Sequence, residues 1–192
     1  MSCVTRPGTP FMDAVDDLIG RIERSIPASF TRRLTAYLVG GVAVHVYTSW
    51  RVSKDMGIHF PQRIIIPPGL VKIYDDQGQE RSLAYDYNYG SFIALMHPDC
   101  WDNAWEGWSV GRIDVRVVSP TDLCVPKVGR WPGNDKEDIC ALAASGLLDA
   151  DTIEQRCLKA LDCYVGDTTM LQYNLRGLLE EIAKCSPSAP QA

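Results

Sequence analysis

From Phe11 to Ile26 the apolar residues Phe11, Val15, Leu18, Ile19, Ile22 and Ile26 recur at helical spacing, with Asp13, Asp16, Asp17, Arg21 and Arg24 on the other side. This pattern predicts an amphipathic helix, ended by Pro27. Leu34 to Val39 then reads as a short apolar strand. Gly40-Gly41 breaks it, and Val42 to Trp50 resumes as a nearly all-apolar helix. Asp55 to Phe60 is a second strand by alternation: Met56, Ile58 and Phe60 point one way, Asp55, Gly57 and His59 the other. Val71–Tyr74 and Ser82–Tyr87 read as strands around the polar turn at Asp75 to Gln79. Ile64 to Ile66 is apolar and β-branched but bracketed by prolines, and Ser91 to Met96 is a possible extension of the sheet.

Trp101, Trp105 and Trp108 stand four and three apart, the spacing of one face of a short helix, and such a stripe serves core or subunit-interface packing more readily than base stacking. Ile113 to Val118 is a strand with Val115 and Val117 opposed to Asp114 and Arg116. Ser119-Pro120-Thr121-Asp122 has the composition of a helix start, although Pro126 should kink that helix or move its beginning. Asn134 to Glu137 reads as a capping box launching Asp138–Leu147. Two amphipathic helices follow, one through Ile153, Cys157, Leu161 and Tyr164, the other through Met170, Tyr173, Leu178 and Ile182. The expected fold is α/β (α+β), a mixed sheet flanked by helices with a C-terminal helical group. The expected division is 1–118 for the sheet domain with its N-terminal helix, 119–185 for the helical region and 186–192 for a disordered tail.

Length and charge change this picture little. A chain of 192 residues buries a full core without covalent staples. The net charge of −5 argues against a large basic nucleic-acid surface. Seven cysteines without a CxxC pair read as reduced, mostly buried thiols. The N-terminus lacks the apolar core of a secretion signal, and the longest apolar run is far shorter than the ~20 residues of a membrane span. The expectation is a cytoplasmic protein with no membrane segment.

The candidate chemistry gathers at the double glycine. Glycines at a strand-to-helix turn let a triphosphate approach the amide groups of the helix start, although the same turn also forms with no ligand. His45, within an apolar helix, reads as a hydrogen-bonded core residue. Asp135, Glu137 and Asp138 read as capping and first-turn acids.

GGVAVHVY, RVSKD, the later YDYN and the VSPTDLCVPKVGRW–NDKEDI block together resemble the minimal nucleotidyltransferases, in particular the DUF6036-type branch and the AbiEii-like toxins of toxin–antitoxin and phage-defence systems. The resemblance covers residues 34–145. It implies a nucleotidyltransferase-like mixed sheet and transfer of NMP from an NTP to an RNA (tRNA) or protein acceptor, with Mg2+ as cofactor and an antitoxin as partner; a homo-oligomer is possible. On this resemblance Asp55 and Asp86 are the catalytic and metal-binding carboxylates, Asp114 is the alternative third ligand, and Gly40, Gly41, Arg51, Ser53 and Lys127 receive the nucleotide. Such carboxylates would hold ions that activate the attacking oxygen and steady the departing pyrophosphate.

Position 57, where the family pattern carries a second strand carboxylate, holds glycine. His59 shares its face, but imidazole is a poor ligand for a hard cation. Three readings stay open: an enzyme in which Asp114 or Asp99 completes the site, an inactivated family member, and a pseudo-nucleotidyltransferase that binds a nucleotide or a protein partner without turnover. A purely structural partner assembling through the tryptophans is a further alternative.

Overall fold

The sheet is built around Leu34–Val39 (β1), a strand apolar enough to be buried on one face along its whole length. The computed structural model describes residues 2–65, 69–74, 78–86, 95–131 and 133–187. Before β1, Pro10–Ser25 forms α1, with the Thr9 hydroxyl accepting the Met12 amide as N-cap and Pro10 at the first helical position. After β1 come Gly40–Thr48 (α2), Asp55–His59 (β2), Leu70–Tyr74 (β3), Glu80–Tyr85 (β4), Trp105–Val110 (β5) and Ile113–Val117 (β6). The helices Pro120–Val128 (α3), Asn134–Ala144 (α4), Ala150–Asp162 (α5) and Thr169–Cys185 (α6) complete the chain. The fold is mixed α/β, with six α-helices and a six-stranded sheet among the described residues.

The strand order is β3-β4-β2-β1-β6-β5. β1 runs antiparallel to β2, with Tyr37 opposite His59 and Val39 opposite Gly57, and parallel to β6, with Thr35 beside Asp114 and Tyr37 beside Arg116. β2 and β4 are parallel, with Asp55 beside Ala84 and Met56 beside Tyr85. The pleat therefore sorts Leu34, Ala36, Leu38, Met56, Ile58 and Leu83 to one buried face. α1 and α2 serve that face: Phe11 of α1 packs edge-on against His45 of α2, with ring centroids 4.6 Å apart. The other face carries the partly exposed Thr35, Tyr37, Asp114 and Arg116.

The chain clusters into two units, Met1–Tyr89 with Ala104–Val118, and Gly90–Asn103 with Ser119–Ala192. Among the described residues, the first holds α1, α2 and all six strands, and the second holds α3 to α6 and the 3-10 turn Pro98–Trp101. Gly90–Asn103, expected within a first domain ending at 118, thus clusters with the helices. The second unit has its own apolar core, in which Val128, Ile139, Ile153, Leu178 and Ile182 are buried to 2% exposure or less.

Two local expectations are corrected. Trp105 and Trp108 lie on β5, not on a helix. Trp-Glu-Gly-Trp-Ser-Val favours a strand that turns back through Gly111 (φ 57°) into β6, and a Cβ at Gly107 would stand 2.8 Å from the Val115 carbonyl. The two rings are used internally: Trp105 packs edge-on to Tyr47 at 5.3 Å, and Trp108 donates to Asp16 at 2.8 Å. Asn134 is the first residue of α4 and Gly133 its N-cap, so the expected capping box does not form. The expected helix start at Ser119-Pro120 is borne out: the Ser119 hydroxyl accepts the Asp122 amide at 3.1 Å, and α3 runs on through Pro126 without moving its beginning. Ile64 and Ile65 form no strand, and Ile65 is exposed. Ile66, Asp75 to Gln77, Tyr87 to Ala94 and the tail from Ser188 onward lie outside the described residues, and so do the expectations that fall on them.

Candidate functional site

β1 delivers the chain to Gly40 at its C-terminal end, where φ of 62° admits glycine readily and other residues at a cost. α2 starts there with no side-chain cap on its first amides. Gly41 is small for a different reason. A Cβ on it would meet Ser53 Oγ at 3.0 Å and Arg51 Nη2 at 3.4 Å. The turn, Arg51 and Ser53 are therefore brought into one place. The Ser53 hydroxyl donates its single proton to the Asp55 carbonyl at 2.9 Å, so its present role is to fix the start of β2 rather than to donate to a ligand.

His45 sets the position of Arg51. It is buried, and its Nδ1 lies 2.9 Å from the Arg51 carbonyl, an acceptor only, so Nδ1 carries the proton. Nε2, 3.0 Å from Thr9 Oγ1, then accepts the Thr9 hydroxyl, whose oxygen in turn accepts the Met12 amide. This neutral tautomer joins the cap of α1, the body of α2 and the loop carrying Arg51 and Ser53. The core reading of His45 holds.

Asp55 and Asp86 are related by the β2/β4 register. Asp55 pairs with Ala84, and the Asp86 amide donates to the Met56 carbonyl at 3.1 Å, continuing the parallel ladder one step so that Asp86 stands beside Gly57. Residues 55, 57, 84 and 86 thus share one face. With strands about 4.8 Å apart and a rise of about 3.3 Å, the two aspartate Cα atoms are roughly 8 Å apart. Asp55 is exposed and its carboxylate makes no hydrogen bond or ion pair among the described residues. Asp86 is half-buried.

Gly57 is held by close packing. It is opposite Val39, and a Cβ there would fall 2.8 Å from Val39 Cγ2 and 3.2 Å from the Val39 carbonyl oxygen. The space for a side chain at 57 belongs to Val39, which is 2% exposed. His59, two residues on, has its rings tilted 6.3 Å from Tyr37, and burial lowers its pKa from the ordinary imidazole value.

Three expected site residues are otherwise engaged. Asp114 sits beside Thr35, six strand positions from the level of Asp55, about 20 Å along the sheet. It is paired with Arg33 and accepts the Ser109 hydroxyl at 2.7 Å, and the guanidinium holds its carboxyl below the usual range. Asp114 is not brought to the Asp55–Asp86 pair. Lys127 is 1% exposed, with Nζ 2.6 Å from Asp135 and 2.8 Å from Asp138, so its charge is already matched by two carboxylates. Neither a phosphate role nor a solvated helix face describes it, and Asp135 and Asp138 are ion-pair partners as well as early-helix acids. Asp99 is engaged by Arg156 and by His97 Nδ1 at 2.5 Å, and its pKa is lowered chiefly by the Arg156 hydrogen bond.

Sequence reasoning missed the centre of the second unit. Arg156 of α5 bonds Asp122 of α3 at 2.5 Å as well as Asp99, joining the 3-10 turn to two helices through a guanidinium only 12% exposed. Cys100 and Cys157 lie near these charges, and burial pushes each thiol up to about 12. The expectation that all seven cysteines are free is also corrected: Cys140 and Cys185 are joined across 45 residues. Sequence spacing carries no sign of that pair, since only the packing of α4 on α6 brings them together.

A cavity of about 510 Å³ lined by Ile26, Pro27, Phe30, Leu34, Ile64 and Ile65 opens at the start of β1, the opposite end from Gly40, and has no part in the carboxylate group. No described helix is long and apolar enough to cross a membrane. No family model, curated protein or solved structure matches this chain.

Proposed function

We propose that the first unit is a nucleotidyltransferase-like scaffold that receives an NTP with Mg2+ at Asp55, Asp86 and the Gly40–Gly41 turn. The observation that carries this reading is the parallel β2/β4 register, which sets both carboxylates on one face of adjacent strands beside the turn where Arg51 and Ser53 meet Gly41. Two carboxylates on one face, from Cα atoms roughly 8 Å apart, suit a hard divalent cation bridging to phosphate oxygens. Uncapped amides at the start of α2 and the Arg51 guanidinium suit the phosphates themselves. Lys127 and Asp114 are left out of this site, and Ser53 positions β2. The acceptor in this reading is an RNA, such as a tRNA end, or a protein side chain. The setting is a cytoplasmic toxin held by an antitoxin.

The packing of Val39 against Gly57 supports the second reading, a pseudo-nucleotidyltransferase that holds a nucleotide or a partner without turnover. A glycine closely packed against its neighbour favours a strand pair built without a side chain at 57, which leaves the cation with one carboxylate fewer than the family pattern.

The test is binding and transfer measured together. Each labelled NTP is offered with Mg2+ and with total RNA or soluble protein as acceptor. Mg2+-dependent binding that weakens roughly 10- to 100-fold in Asp55→Asn and Asp86→Asn supports the scaffold. Label transferred to an acceptor makes it an enzyme, and binding without transfer makes it the pseudo-enzyme. Absence of Mg2+-dependent NTP binding by the wild-type chain overturns both.

A further inference from the structure

We propose that Cys140, Glu181 and Cys185 form a thiolate–carboxylate site for one zinc-class cation, open only while the two thiols are reduced. The site lies wholly within the second unit. Cys140 is on α4, while Glu181 and Cys185, four apart on α6, share one helix face.

Glu181 Oε1 lies 3.4 Å from Cys140 Sγ and 3.9 Å from Cys185 Sγ, and the three ligand atoms all lie within 4.8 Å of one another. Tetrahedral zinc, with bonds of about 2.3 Å to sulfur and about 2.1 Å to oxygen, sets its sulfur and oxygen ligands about 3.6 Å apart. The two oxygen–sulfur distances straddle that value. Only the sulfurs must separate, to about 3.8 Å, which is the consequence of breaking the bond between them. The Cα atoms, 5.2 Å apart, leave room for both arrangements.

The carboxylate is also aimed. Glu181 is buried, and Lys136 Nζ holds its other oxygen, Oε2, at 2.9 Å, with Lys184 Nζ at 3.8 Å. This leaves Oε1 directed at the sulfurs, an outer partner orienting an inner ligand. The charges agree. Two thiolates and a carboxylate bring −3, a divalent cation leaves −1, and the two lysines face that remainder. Soft sulfur with one carboxylate selects zinc over magnesium or calcium. A water would fill the fourth position.

The two states interconvert by a balanced exchange. An external dithiol gives two electrons and two protons to the Cys140 and Cys185 sulfurs and is left as its own disulfide. The cation then displaces both thiol protons to solvent. This site is independent of the nucleotide reading above.

The experiment uses Co2+ as a spectroscopic probe on the reduced, reductant-free full chain. The expected result is one equivalent bound, with sulfur-to-cobalt charge-transfer bands and the visible bands of tetrahedral cobalt, all displaced by Zn2+. The charge-transfer intensity should halve or vanish in Cys140→Ser and Cys185→Ser. Glu181→Gln should bind at least ~10-fold more weakly, and the oxidised chain should show no bands. Reduced wild type without thiolate bands overturns the proposal, as do bands that persist undiminished in both serine variants. Should those variants fail to fold, Zn2+ protection of Cys140 and Cys185 against iodoacetamide, read by peptide mass, decides the matter in wild type. Alkylation slowed ~10-fold or more supports the site, and unchanged alkylation overturns it.

Discussion

His45 Nδ1 donates to the carbonyl of Arg51 at 2.9 Å, so a side chain buried in α2 fixes the backbone that leads into β2. Replacing His45 with Leu keeps the apolar packing and leaves the Arg51 carbonyl and the Thr9 hydroxyl without this partner. The expected cost is about 1–3 kcal/mol, read from the urea midpoint. On the proposed nucleotide reading, affinity for NTP should fall with it, since the loop carrying Arg51 and Ser53 loses its anchor. Unchanged stability would show that the loop is held by other contacts.

Lys127 presents the opposite case, a buried charge whose removal takes a close cation from two carboxylates. Lys127→Ala takes the ammonium away from the Asp138 carboxylate, 1% exposed, and from the mostly buried Asp135, which keeps Arg130 at 3.5 Å. The expected loss is about 3–5 kcal/mol. Lys127→Ala combined with Asp135→Asn and Asp138→Asn should recover a large part of it, and chemical unfolding of the two variants side by side measures the difference.

His59 gives a pH dependence whose sign follows from its burial. The folded chain lowers the pKa of His59 below the ordinary 6.5, so between the two values the unfolded chain binds more protons. Stability from the neutral ring is therefore complete above about pH 6.5 and declines as pH falls below it. His59→Gln should flatten the fall in thermal midpoint between pH 7 and pH 5. An unchanged slope would remove His59 from the account.

Thiol reactivity should divide by burial. Cys3 and Cys163 are exposed, whereas Cys100, Cys124 and Cys157 are buried and their thiols are pushed upward by desolvation. In the native chain two thiols are expected to react rapidly with an aromatic disulfide reagent, and the three buried ones only in denaturant. Rapid native labelling of Cys124 or Cys157 would mean that the helical core opens readily.

Gly57→Asp alone is expected to lower stability rather than complete a metal site, because the new Cβ runs into Val39 Cγ2. Val39→Ala with Gly57→Asp opens the space beside the side chain. The double variant should be more stable than Gly57→Asp alone, and its Mg2+-dependent NTP binding should exceed that of Val39→Ala. Calorimetry in the presence and absence of Mg2+ checks both parts.

The strands and helices legible in the sequence were those whose own periodicity decides them: α1 by its apolar stripe, β1 by its run, and β2 by the alternation of Met56 and Ile58 with Asp55 and His59. The tryptophan segment misled because its four-and-three spacing imitates a helix, while Gly107 and the pairing with β6 decide for a strand. Lys127 misled because local composition cannot say that Asp135 and Asp138 fold back over it. Cys140 and Cys185 were illegible for the same reason. The grouping of Gly41, Arg51 and Ser53 was partly visible as a motif, yet the registers that place Asp86 beside Gly57 and Asp114 at the far end of the sheet exist only once strands pair.

The path of the backbone has a practical consequence. It passes from the sheet unit to the helical unit, returns for the β5–β6 hairpin, and leaves again after Val118. No single cut separates the two. A fragment stopped at Val118 would keep every strand but would carry Pro98–Trp101 deprived of Asp122 and Arg156, with the Asp99 carboxylate and the Cys100 side chain stripped of their cover. Dissecting this protein therefore calls for excision and rejoining rather than truncation, with a linker long enough to cross from the end of β4 past β2, β1 and β6 to the start of β5.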